Sequence, residues 1–192
     1  MPRPLEFDRP ATVDKALVLF WRKGYQASSL ADLLDAMGIS RSSFYATFED
    51  KRRLYIECLE LFAERTKDVL LRARKDTAPL DALRSFFVST ATVQRSRRTD
   101  WGCMMVNTVL EMSGVDDDLG ARASACLAAM QTEFERCLVD AGFPPARTAD
   151  LASFLMLFNE GLRVSSRRKV SRERQLSDID TTFHLIEREL AP

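Results

Sequence analysis

Residues 28–45 read SSLADLLDAMGISRSSFY, and the fold turns on how this stretch is read. Leu30, Leu33, Leu34 and Met37 recur at three- and four-residue spacing, which is one face of a short helix. Ser28 or Ser29 stands where an N-cap belongs, and Asp32 takes the position of a capping-box acid. Gly38 follows where a left-handed residue turns the chain. Ser40 then opens another helix after the short turn Gly38-Ile39-Ser40, with Phe44 and Phe48 marking its buried side. Two short helices across a glycine turn form a helix-turn-helix, whose second helix can enter a DNA major groove.

Groove entry demands small or hydrogen-bonding groups on the outer face. Ser40, Arg41, Ser42 and Ser43 supply them at the helix start, where arginine can take a guanine edge bidentately. Tyr45, Thr47 and Lys51 suit phosphate contacts, which fix register without reading sequence. The amides at the helix starts near Ser29 and Lys51 are further anion sites. Arg3 sits on a proline-flanked arm, which reads as an idle tail or, as in other N-terminal arms, as a minor-groove contact. Phe20, Trp21, Phe44 and Phe48 have helical spacing and read as core rather than base-stacking groups.

Outward from this stretch the pattern stays helical. Val13, Ala16, Leu17, Phe20 and Trp21 give a first helix over about 11–24, capped by Asp8 or Thr12 and stopped at Gly24. A long helix is expected from about Asp50 to Arg74, roughly 37 Å at 1.5 Å per residue. Pro79 begins another, where a first-turn proline loses nothing. The polar stretch Gln94 to Asp100 breaks the pattern before the apolar segment Trp101 to Met112. Helices follow to about Ala141 and over about Thr148 to Arg167. Ser165 to Ser177 reads as a solvated loop, and Ile179, Phe183, Ile186 and Leu190 mark a last helix. The expectation is an all-α fold of about nine helices, with a DNA-binding domain over 1–53 and a second domain over 54–192.

Composition narrows the classes. The 192 residues carry 28 basic and 28 acidic side chains, so net charge alone does not point to nucleic acid. Residues 1–53 hold nine Lys or Arg against seven Asp or Glu, a weak positive bias. No apolar run approaches a membrane span, and Met1 to Leu5 lacks a signal core, so a cytoplasmic protein is expected. Cys58, Cys103, Cys126 and Cys137 form no CxxC pair and His184 is the single histidine, so no metal or cofactor is expected.

The run Phe20-Trp21-Arg22-Lys23-Gly24-Tyr25, then Ser28 to Leu34, Met37 to Ser40 and Phe44 to Leu54, resembles the TetR/AcrR family of bacterial regulators. The resemblance implies an all-helical homodimer that binds a double-stranded operator through its third helix and a small-molecule effector in its C-terminal domain. It further implies that Tyr45 and Lys51 grip phosphates, aided by Ser28. Ser42 and Thr47 depart from the residues common at their positions, which leaves the operator sequence open.

The C-terminal half carries weaker signals. An effector pocket is expected around Phe86, Trp101, Cys103, Met104, Asn107, Glu111 and Phe134, an apolar lining with a few polar groups. Cys103, Asn107 and Glu111 share one helix face at spacing four. For a homodimer, Phe154, Leu155, Phe158 and Leu162 are expected to meet Phe183, Ile186 and Leu190 in a four-helix bundle. Cys103 also raises a thiol-based redox or electrophile sensor, with Arg97 and Arg98 near in sequence. A helical interaction protein that never meets DNA explains the core but not the arginine-led face. An enzyme has no Ser/His/Asp or Cys/His set and no phosphate loop to support it.

Overall fold

The computed structural model describes residues 7–92 and 101–190. Arg3, Arg97, Arg98 and the stretch Gln94 to Asp100 lie outside the described residues. Among those described, nine helices and no strand occur: α1 (Arg9–Lys23), α2 (Leu30–Met37), α3 (Arg41–Phe48), α4 (Lys51–Asp76), α5 (Pro79–Thr92), α6 (Met104–Met112), α7 (Asp117–Asp140), α8 (Pro145–Arg167) and α9 (Arg172–Glu187). No helix among them is long and apolar enough to cross a membrane.

Capping explains most boundaries. Asp8 accepts the Ala11 amide at the start of α1, and Asp50 accepts that of Arg53 at the start of α4. Ser29 and Asp32 form a reciprocal capping box on α2. Asp32 is also bound by Lys23 at 3.0 Å; these hydrogen bonds, Lys23 first, hold its carboxyl down at about 2. Gly24 ends α1 at φ 83° and ψ 176°, a region that side chains with a Cβ enter only under strain.

The expected loop over Ser165 to Ser177 is much shorter in the structure. Ser165 to Arg167 finish α8, and α9 already begins at Arg172, leaving a short connection between them. Ser171 starts α9 by accepting the Arg174 amide, a cap that the basic composition of the segment obscures. Conversely, α9 ends at Glu187, so Leu190 lies beyond it.

Two aromatic clusters hold the molecule. In the N-terminal part, Phe20 and Tyr25 each meet Tyr55 of α4 edge-on at 4.9 Å. The Thr108 hydroxyl donates to the Met104 carbonyl, so the 2.6 Å contact with Tyr55 has the phenol as donor. In the C-terminal part, Phe86, Phe87, Phe134 and Phe183 pack ring against ring across α5, α7 and α9. Each ring buried this way is worth several kcal/mol on truncation, about 3–5 for Phe to Ala.

Polar ties join the helix-turn-helix to the rest. Arg52 reaches from α4 to Asp116 at 3.1 Å and Asp118 at 2.6 Å, at the start of α7. Glu111, at the far end of α6, accepts the backbone amides of Tyr25 at 2.9 Å and Gln26 at 2.7 Å. The turn between α1 and α2 is therefore capped by a carboxylate from the C-terminal part of the chain.

Candidate nucleic-acid interface and effector cavity

The third helix stands out from the protein on an apolar root. Phe44 and Phe48 are buried beneath it, while Arg41, Ser42 and Tyr45 are exposed. Ser40 caps the helix by accepting the Ser43 amide at 3.1 Å, and its hydroxyl lies 2.9 Å from those of Ser42 and Ser43. Ser43 and Thr47 are half-buried. Gly38, left-handed at φ 72° and ψ 35°, sets the angle between α2 and α3. The result is an eight-residue helix whose first turn presents a guanidinium and hydroxyls, with Tyr45 one turn further on.

Of the phosphate-facing candidates, Ser29 is exposed at its cap and Lys51 is half-buried at the start of α4. The Lys51 ammonium sits 4.4 Å from the centre of the Tyr25 ring, a cation–π contact, and burial lowers its pKa. Ser28 departs from expectation. It is fully buried and its hydroxyl donates to the Gly24 carbonyl at 2.6 Å, so it shapes the turn and offers no surface to a phosphate.

A cavity of about 390 Å³ lies between the two parts of the chain. Leu17, Val18 and Trp21 of α1 form one wall, Phe62 and Val69 of α4 another, and Phe86, Met105 and Met130 close the apolar lining. Its polar groups are Asp14, Arg65, Asn159 and Arg163, with Cys103 and three hydroxyls. Asp14 and Arg65 pair with each other at 2.6 Å.

Of the residues expected in a pocket, the structure brings Phe86 and Cys103 to this wall and places the others elsewhere. Trp101 packs edge-on against Trp21 at 5.5 Å, behind the lining. Met104 is core, and Phe134 is wedged against Phe86 and Phe87. Asn107 donates to the Trp101 carbonyl and accepts from Arg167. Glu111 turns to the helix-turn-helix. A nine-residue helix is about 13 Å long, so residues sharing a face of α6 meet different neighbours at its two ends. Trp21, Phe62, Asn159 and Arg163 were missed because the wall draws on helices far apart in sequence.

Cys103 does not resemble an activated thiol. Burial raises its pKa, and the opposing pull of Arg163 and of the Met105 and Val106 amides is weaker. Among the described residues no cluster of His, Cys, Asp or Glu suits a metal ion.

The expected dimer residues divide. Leu155, Leu162, Phe183 and Ile186 are buried within the chain, Phe158 is half-buried, and Phe154 and Leu190 are exposed. Exposed apolar side chains not foreseen are Leu157 and Val164 of α8 and Leu185 of α9. Phe154, Leu157, Gly161 and Val164 fall at spacings of three and four, one continuous stripe down α8.

Comparison with known proteins agrees with this architecture. Residues 13–58 match the model of bacterial regulatory proteins of the tetR family, and residues 69–179 match the C-terminal domain of LmrA/YxaF-like transcriptional regulators. The chain is 30% identical to the HTH-type transcriptional repressor ComR of Escherichia coli K12, over 95% of this chain and 90% of that protein. It is 23% identical to the repressor DhaR of Mycobacterium sp. GP1, over 88% and 86% of the two chains. Among solved structures, a cysteine mutant of the TetR family regulator CifR complexed with 26 bp double-strand operator DNA aligns with a TM-score of 0.76, at 27% identity over 95% of this chain and 98% of that one.

Proposed function

Because the chain belongs to the TetR family of transcriptional repressors, we propose that it represses by binding a palindromic operator as a homodimer and lets go when a small molecule fills its cavity. The observation that carries this reading is the outer face of α3, where Arg41, Ser42 and Tyr45 are exposed while Phe44 and Phe48 lock the helix from behind. Arg41 is the base-reading residue, with Ser40, Ser42 and Ser43 beside it. Tyr45, Thr47, Lys51 and the α2 start at Ser29 hold phosphates. The CifR neighbour is bound to operator DNA, which supports the same use of this helix here.

The partner surface we assign is the α8 stripe of Phe154, Leu157 and Val164 with Leu185 of α9. Apolar side chains at this spacing are those a helix buries against a neighbour. Pairing there would set the two α3 helices into successive major grooves about 34–36 Å apart. The division at residue 53 is that between a DNA-reading head and a ligand- and partner-binding body. The protein works in the cytoplasm as a regulator without an enzymatic step.

Coupling runs through α6. Its start, at Gly102 to Met105, borders the cavity, and Glu111 at its other end holds the turn between α1 and α2. A ligand that favours a shifted α6 lowers DNA affinity only by its preference for that form.

The reading is tested by selecting duplexes from a random pool and measuring salt-dependent binding of the winner by gel shift. Enrichment of a palindrome, with Arg41→Ala losing discrimination between it and random DNA, is the expected result. Absence of any enriched sequence at low salt would overturn it.

A further inference from the structure

The cavity contains a charge that nothing in the described structure answers. Its lining holds two guanidiniums, Arg65 and Arg163, but one carboxylate, Asp14, which is spent on Arg65. Arg163 donates to the Thr90 carbonyl at 2.7 Å and to the Asn159 side-chain oxygen at 3.1 Å; it meets no carboxylate among the described residues. Arg163 is half-buried, and burial pulls its pKa below the ordinary arginine value. A positive charge partly withdrawn from water and bonded only to neutral acceptors is stabilised when an anion joins it.

Two further features at the same wall, at Asn159 and Cys103, have the same sense. Asn159 is buried, and its carboxamide oxygen is taken by Arg163, so its unused capacity is to donate. The hydroxyls of Thr66, Thr90 and Ser166 donate back to their own helices, to Phe62, to Phe86 and Phe87, and to Leu162, so none of them supplies a donor to a ligand. Cys103, at the N-cap of α6, lies near Arg163, but burial raises its thiol pKa, so it offers the guanidinium no negative charge. Among the described residues, Arg163 has no negatively charged acceptor at this wall.

We propose that the cavity binds an amphipathic monocarboxylate, its carboxylate gripped by Arg163 and Asn159 near the start of α6 and its apolar body laid against Trp21, Phe62 and Phe86. This deepens the effector reading above and rests on it only for the consequence, DNA release; the binding itself stands apart. The cavity volume of about 390 Å³ lies toward the small end of the ~300–1,000 Å³ usual for small-molecule sites. A single acid with a modest chain or ring fits that space.

Trp21 lines the cavity and the other tryptophan, Trp101, touches its ring, so intrinsic fluorescence reports occupancy without DNA. Decanoate and 4-phenylbutyrate are titrated against their primary amides, which keep the shape and remove the charge. At least one acid is expected to alter the fluorescence and to bind about tenfold or more tighter than its amide, the value of one charge-assisted bond. Arg163→Met should abolish that gap, and Asn159→Leu should narrow it, with circular dichroism confirming that each variant is folded. Amides that bind as well as acids, a gap that survives in folded Arg163→Met, or no response to either acid at millimolar concentration would overturn the assignment. Fluorescence anisotropy on the selected operator then separates the two claims. An acid that binds without releasing DNA overturns the effector reading and leaves the site standing. A neutral compound that releases DNA while the acids stay silent does the reverse.

Discussion

Removing the Glu111 carboxylate should loosen the helix-turn-helix from the rest of the chain. Glu111 accepts two backbone amides, those of Tyr25 and Gln26. A hydrogen bond to a charged group contributes about 1.5–3 kcal/mol when well shielded. Here one bond is partly buried and the other exposed, so screening reduces each to about 1 kcal/mol and the pair to about 2. For a chain of this size that corresponds to a melting temperature lower by about 4–8 °C. Gly24 gives the internal control, because a Cβ there would lie 2.6 Å from Glu111 Oε2 as well as being strained by its φ of 83°. Gly24→Ala alone should therefore cost about 1–3 kcal/mol of strain and also displace the carboxylate. In a Glu111→Ala background only the strain remains, so the two losses should fail to add by about 1–2 kcal/mol. Differential scanning calorimetry of the wild type, both single variants and the double variant measures all four corners. Strict additivity, or a Glu111→Ala protein melting within about 1 °C of wild type, would refute the idea that this carboxylate holds the turn.

Three other outcomes follow from the same structure. Leu157→Glu places a charge in the middle of the exposed α8 stripe; the wild type is expected to sediment as a dimer and the variant as a monomer, with the helical signal unchanged, and a variant still dimeric would move the interface elsewhere. Tyr55, buried and pushed up to about 12 from an ordinary value near 10, keeps its proton in the native state across a pH window where the unfolded chain has lost it. Its contribution is therefore intact below pH 10 and lost as pH rises towards 12, and Tyr55→Phe should flatten the alkaline limb of stability measured by urea titration. Of the four thiols, Cys126 is half-buried while Cys58, Cys103 and Cys137 are buried, so a chromogenic disulfide should titrate Cys126 ahead of the rest. Rapid modification at Cys103, absent in Cys103→Ser, would instead favour a thiol sensor.

The helix-turn-helix was legible because everything that defines it is local. Ser29 with Asp32, Gly38, Ser40 and the Phe44/Phe48 pair lie within twenty or so residues, and capping, turn and burial follow from spacing alone. The cavity was not, since Trp21, Phe62, Phe86 and Arg163 converge only once α1, α4, α5 and α8 pack. Arg163 reads in sequence as one more cation near a basic stretch, and only the packing draws it into the cavity wall, against Thr90 and Asn159. Ser28 shows the opposite error: a serine at a helix start suggests a surface cap, yet the adjacent Ser29 takes that role and Ser28 turns inward. The dimer residues divided for a related reason, as an apolar helix face cannot declare from sequence whether its own chain or a partner covers it.

Helix α1 serves two masters. Val13, Ala16 and Phe20 build the core beneath the helix-turn-helix, while Leu17, Val18 and Trp21 on the same fifteen-residue helix line the cavity proposed to hold the effector. A substitution that reshapes the chamber from this side must also repack the head, so selectivity for a new molecule and grip on DNA are not free to drift apart there. Divergence towards other chemistries has more latitude at Met130 of α7 and Arg163 of α8 than at Phe62, whose ring packs edge-on against Trp21 of α1 at 4.9 Å.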